Sequence, residues 1–220
     1  MLLHVLLVIH IAVLGYWLGS ELVINSTYRY VSMGAGIPFV ERDRLMEHVM
    51  DVDQHVRYAL VLQAGLGFTL ATLYGYLPGG APAALMCASL AVIWLAFVEV
   101  IHRLRHRPEG RALAKVDRVS RYVLMAVLVA IALGLVIPAS SIPLWLRIKL
   151  GLFACVIASG VGIRLALIGH FRTWAIMARE GPSDRTNKVI RRTYWQATLV
   201  LIGLWVFIGA LVCVSVLKPA

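Results

Sequence analysis

Charge is scarce in this chain: Asp, Glu, Lys and Arg make up 15% of its 220 residues, against 60% hydrophobic, and the mean hydropathy is +0.83. Composition of that kind excludes an ordinary soluble domain and points to membrane insertion. Cysteine is nearly missing too. Cys87, Cys155 and Cys213 all fall in apolar stretches without CxxC or CxxCH spacing, so they read as packing residues. The first residues lack a basic region and a small-residue cleavage site, and no removable signal peptide is expected. There is no Walker loop, no GxGxxG after a strand, no HExxH and no arginine-rich voltage-sensor repeat. No apolar stretch holds the run of acids that a strong proton relay needs, and no internal repeat supports an inverted-repeat transporter.

What the chain does have is long apolar runs. Six of them, about 2–24, 56–77, 82–102, 119–138, 143–169 and 196–217, approach the roughly 20 residues that a helix needs to cross a hydrocarbon core. The expected fold is therefore all-α, one bundle of six transmembrane helices. Pro78-Gly79-Gly80-Ala81-Pro82 and the segment 138–143 read as tight turns between neighbouring spans.

Basic residues set the direction. Of the 21 Lys and Arg, only Arg147, Lys149 and Lys218 lie on one side of this arrangement. The rest, such as Arg42, Arg57, Arg103, Arg121, Arg164 and Arg191, fall on the other, as do all 11 acids. Cytoplasmic loops retain Lys and Arg, so both termini are expected outside the cytoplasm, in a bacterial inner membrane. The net charge of +10 is then a mark of insertion and not of nucleic-acid binding. The outer surface is left with two short turns and the termini.

Between the first two spans, residues 40–55 carry Leu45, Val49 and Val52 at i, i+4 and i+7. That spacing predicts an amphipathic helix, either lying on the inner leaflet or acting as a lid over an inward-opening site.

Ionisable groups inside spans are costly, which makes each a candidate. His10, Trp17 and Glu21 share one face of span one, which also holds the GxxxG of Gly15 and Gly19. His10 reads either as a hydrogen-bonded buried imidazole or as an axial ligand to a cofactor between helices. Glu99, His102 and His106 share one face at the end of span three. Glu-x-x-His occurs in di-metal bundles, but the second pair and the further carboxylates such a site needs are missing here. Glu99 is otherwise expected to pair with an arginine such as Arg164. Asp53, His55 and Arg57 open span two; His55 and His102 read either as surface groups or as two imidazoles clamping a b-type haem.

His10, Trp17 and Gly19, followed by Tyr28 and Tyr30, resemble the opening helix of two bacterial groups, the CopD-like copper-resistance membrane proteins and the HemJ-type protoporphyrinogen oxidases. Asp53, Arg57 and Gly65, with Trp145, Lys149, Gly162 and Arg164, are similar to further bacterial membrane proteins of the CopD-like set. The resemblance implies a b-type haem held by the first-span histidine, which is His10 here, or copper handling. The outer surface has no Met- or His-rich stretch to take up copper, so haem is the stronger expectation.

The expected function is thus a haem-binding or redox-associated membrane subunit, with Glu21, Glu99, Asp53, Arg57 and Arg164 as an inner polar cluster. A small-solute or ion transporter entering past Glu21 and Glu99 is the rival reading. A membrane anchor for a cytoplasmic protein partner is the third. The lipid bilayer is the common partner of all three.

Overall fold

Hydrocarbon offers the peptide group no hydrogen-bond partner, so an apolar chain must satisfy its amides within its own helices. The structure is a computed structural model that describes residues 1–105 and 107–219, and of Arg111 the backbone alone. It is all-helical, with no strand among the described residues. The helices are α1 (Leu2–Met33), α2 (Phe39–Leu73), α3 (Gly80–Arg103), α4 (Pro108–Ala132), α5 (Leu144–Glu180) and α6 (Asp184–Leu217). Local chemistry sets several ends. Pro38 and Pro143 precede α2 and α5, and Pro108 opens α4. A reciprocal capping box between Ser183 and Thr186 starts α6.

Five helices, α1, α2, α3, α5 and α6, are long and apolar enough to cross a membrane. The fourth expected span, 119–138, falls on α4, which at 25 residues is long enough but too charged to stand among the five. Helix α4 stops at Ala132, and its first half carries Lys115, Asp117, Arg118 and Arg121. Its apolar part, 119–132, rises only about 21 Å at 1.5 Å per residue. A hydrocarbon core of roughly 30 Å is thicker than that. Beyond it the chain turns at Gly134 (φ +76°), and the Arg147 Nε–H donates to the Ala132 carbonyl at 2.8 Å.

The segment 40–55 is not a separate helix in the membrane plane. No Gly or Pro interrupts the chain between Phe39 and Ala64, and α2 runs unbroken through both this segment and the second span. Its apolar face is covered by protein: Met46 and Val49 are buried with Tyr28, Trp174 and Tyr194.

Each helix packs against the next in chain order, and α6 returns to α1, which closes a ring. The α1–α2, α2–α3 and α5–α6 pairs pack most extensively, while α3–α4 and α6–α1 are the thin seams. Helices α2 and α3 pack closely at Gly65, where an added Cβ would lie 2.3 Å from the Ala91 Cβ. The GxxxG of α1 does not serve this purpose, since nothing lies within 4 Å of a Cβ added at Gly15 or Gly19. The core has three levels: Tyr28, Met46 and Trp174 at the basic end, Trp17, Val156 and Leu204 midway, and Leu128, Ile142 and Leu146 at the far end. Outside, large apolar side chains such as Val8, Leu85, Val92, Leu199 and Val206 stand exposed, a surface suited to lipid.

Candidate functional site

The ring encloses two cavities, one toward each end. The basic-end cavity, about 330 Å³, is walled by α1, α2, α4, α5 and α6. Its polar side chains come from helix positions that the apolar pattern leaves pointing inward. On α2, Arg57 Nε–H donates to Asp53 Oδ2 at 3.2 Å, one helical turn away. Arg164 of α5 approaches the same oxygen at 3.8 Å. On α4, Arg121 pairs with Asp117, which is buried. Across the cavity Glu21 is buried, and one of its carboxylate oxygens accepts from the Trp17 Nε1–H at 3.3 Å.

The far-end cavity is larger, about 570 Å³, and is lined by His10, Gln63, Phe68, Trp145, Lys149 and Lys218 among others. No carboxylate lines it among the described residues. Lys218 Nζ sits 5.7 Å from the centre of the Trp145 ring. His10 Nδ1 is buried with no hydrogen-bond partner, while its backbone carbonyl accepts from Gln63 Nε2–H at 3.0 Å. Trp17 and Val156 line both cavities and belong to the midway core with Ala59, Leu201, Leu204 and Ile208.

Of the residues singled out in the sequence, Glu21, Asp53, Arg57 and Arg164 converge on the basic-end cavity, and His10 stands alone in the far-end one. Glu99, His102 and His55 line neither. For Glu99 and His102 the reason is the position of α3, which packs chiefly on α2 and contributes no wall to either cavity. Glu99 accepts from Tyr58 and, at 2.5 Å, from Arg103, and not from Arg164. His55 Nδ1 meets the Tyr16 hydroxyl at 2.5 Å, and no contact joins it to His102 among the described residues. His106 lies outside the described residues. No group of three or more His, Cys, Asp or Glu side chains is placed to hold a metal ion among the described residues.

Sequence reasoning did not single out Asp117 and Arg121 as site residues, although their i, i+4 spacing inside an apolar stretch was a usable signal. It also missed a second buried polar group at the basic end. Arg42 is fully buried, donates from Nε to the Val31 carbonyl and from Nη1 to Asn187 Oδ1 (both 2.9 Å), and lies over the Trp174 ring. His170 stacks on that same ring, and its Nδ1 sits 2.8 Å from the Tyr28 hydroxyl and 3.1 Å from Thr193. At the surface, the hydrogen bond from Arg105 holds the Asp51 carboxyl below its ordinary range, with His102 and His48 adding to the effect.

Electrostatically, the far-end cavity favours negative charge. Lys149 and Lys218 line it with no carboxylate among the described residues, whereas at the basic end Arg57 and Arg121 are paired with Asp53 and Asp117, which leaves Arg164 and Glu21. Compared with protein-family models, with curated proteins and with solved structures, the chain matches none.

Proposed function

We propose that the chain is a multi-pass inner-membrane protein of six crossings, with both termini outside the cytoplasm, and that it passes a small anionic solute along the axis of its ring. The observation that carries this reading is the pair of cavities that share Trp17 and Val156 in their linings, with arginines at one end and lysines at the other. Cations at both ends attract an anion and offset the loss of its hydration inside the bundle. Helix α4, though charged in its first half, belongs to the bundle, because Leu128 and Ile131 pack into the far-end core. With α4 the number of crossings is even, and the distribution of Lys and Arg then puts both termini outside.

Uptake of a small labelled carboxylate into proteoliposomes tests this. It should exceed uptake into protein-free vesicles and fall about tenfold in Lys149→Gln and in Arg164→Gln, the effect of roughly 1.4 kcal/mol on a barrier. Glu99→Gln should leave it unchanged. Uptake no faster than in protein-free vesicles would refute the reading.

His10 favours a second reading, in which the far-end cavity holds a b-type haem. Its unpartnered buried Nδ1 leaves the imidazole with ligand capacity unused, and Lys149 and Lys218 line the same cavity as candidates for the propionates. No second His, Met or Cys lines that cavity among the described residues, so the iron would keep an open position. Bound haem would supply one-electron redox chemistry. Protein purified after expression with added haem should show a Soret band that His10→Ala abolishes; no band at all would exclude this reading.

A further inference from the structure

Arg164 differs from the other two arginines at the basic-end cavity. Arg57 donates to Asp53, and Arg121 to Asp117. Arg164 makes no hydrogen bond among the described residues. Its nearest acid oxygen, Asp53 Oδ2 at 3.8 Å, is already engaged by Arg57. Its side chain remains 40% exposed while it walls the cavity. A guanidinium in apolar surroundings with its forked N–H donors unspent is suited to a carboxylate or phosphate, which it can bind through two parallel bonds.

The rest of the wall asks for something else. Val49, Leu60, Ile163, Ala197, Leu201 and Leu204 present hydrocarbon, which a small inorganic anion would leave uncovered. Glu21 also lines the cavity and has no ion pair among the described residues.

We propose that the basic-end cavity binds an amphiphilic anion, with a carboxylate or phosphate head on Arg164 beside Arg57 and an apolar tail against α2, α5 and α6. This rests on the transport reading in one respect: it names the class of solute that the axis accepts. The head chemistry has two sources, a free fatty-acid-like carboxylate or an alkyl phosphate, and the binding arms separate them.

The test is displacement of the fluorescent fatty acid cis-parinarate from the protein in phosphatidylcholine nanodiscs, with protein-free nanodiscs as background. Dodecanoate, dodecyl phosphate, dodecyltrimethylammonium and inorganic phosphate are the competitors. One or both tailed anions should displace the probe, while the tailed cation and inorganic phosphate should not. Arg164→Gln should weaken displacement about 10- to 100-fold, the worth of one charge-assisted hydrogen bond, and Arg164→Lys should restore part of it. Gly160→Leu keeps Arg164 and fills the cavity from α5, where an added Cβ meets nothing within 4 Å, and it should abolish binding of the tailed anions. Equal displacement by the tailed cation would overturn the inference, as would full affinity in both Arg164→Gln and Gly160→Leu. Binding without uptake would refute passage of the anion and leave this site standing. Uptake of a small carboxylate without binding of either tailed anion would refute this site alone.

Discussion

Arg42 shows how a single charge can be held where lipid and protein exclude water. It is fully buried, and the Val31 carbonyl, Asn187 and the Trp174 ring share its guanidinium. Arg42→Met would keep the length of the side chain but leave Asn187 and a buried carbonyl without their donor. A loss of about 3 kcal/mol is expected, measured by thermal or denaturant unfolding in detergent. Asp51 is the opposite case. Its carboxyl is held low by Arg105 but lies exposed, so its contribution is present above the ordinary carboxylate range and disappears as pH falls through the lowered value. Asp51→Asn should therefore cost less than about 0.5 kcal/mol at neutral pH, and the difference from the wild type should vanish in acid. Neither role was legible in the sequence. Arg42 and Asp51 both sit among alternating charges of a polar segment, and the partners that distinguish them, Asn187 and Arg105, are remote in the chain. His10 and Arg164, by contrast, were legible, because a charge or imidazole inside an apolar run has to be accounted for.

At the scale of elements, spacing identified the helices and missed how two of them are used. The spacing of Leu45, Val49 and Val52, with Met46 beside them, predicts an amphipathic face, but amphipathicity does not say whether lipid or protein covers it. Trp174 and Tyr194 do, because α5 and α6 extend as far beyond the apolar layer as α2 does. The GxxxG of α1 was misleading for a related reason: a pattern of small residues permits close approach without requiring it. Two glycine variants separate these cases. Gly65→Ala places a methyl against Ala91 and should cost about 1–3 kcal/mol through overpacking of α2 on α3. Gly15→Ala faces open space and should be neutral or stabilising by up to about 1 kcal/mol, since alanine restricts the unfolded chain. Unfolding midpoints of the two variants in one detergent check the pair; the reverse order would restore GxxxG as a packing face.

Over the whole molecule, the asymmetry of Lys and Arg and the charged α4 make opposed demands. Five crossings would put the termini on opposite sides of the membrane, and six on the same side. Reporter fusions at the two ends decide it: both termini should report outside, and a cytoplasmic report from either one would remove α4 from the membrane. The sequence made the concentration of polar groups at one end legible, because charge follows the loops. It did not make the axis legible, since cavities arise from which helices close the ring, and α3 took Glu99 and His102 out of the site by standing against α2. What remains on the axis is Lys149 and Lys218 at one end and, at the other, Arg164, which makes no hydrogen bond among the described residues. The most direct test is the charge preference of flux in proteoliposomes, comparing a small carboxylate with an ammonium ion of matched size. The wild type should favour the anion, and the paired inversion Lys149→Glu with Arg164→Glu should abolish or reverse that preference in protein that still folds. A preference unchanged by the inversion would contradict an anion path along the ring.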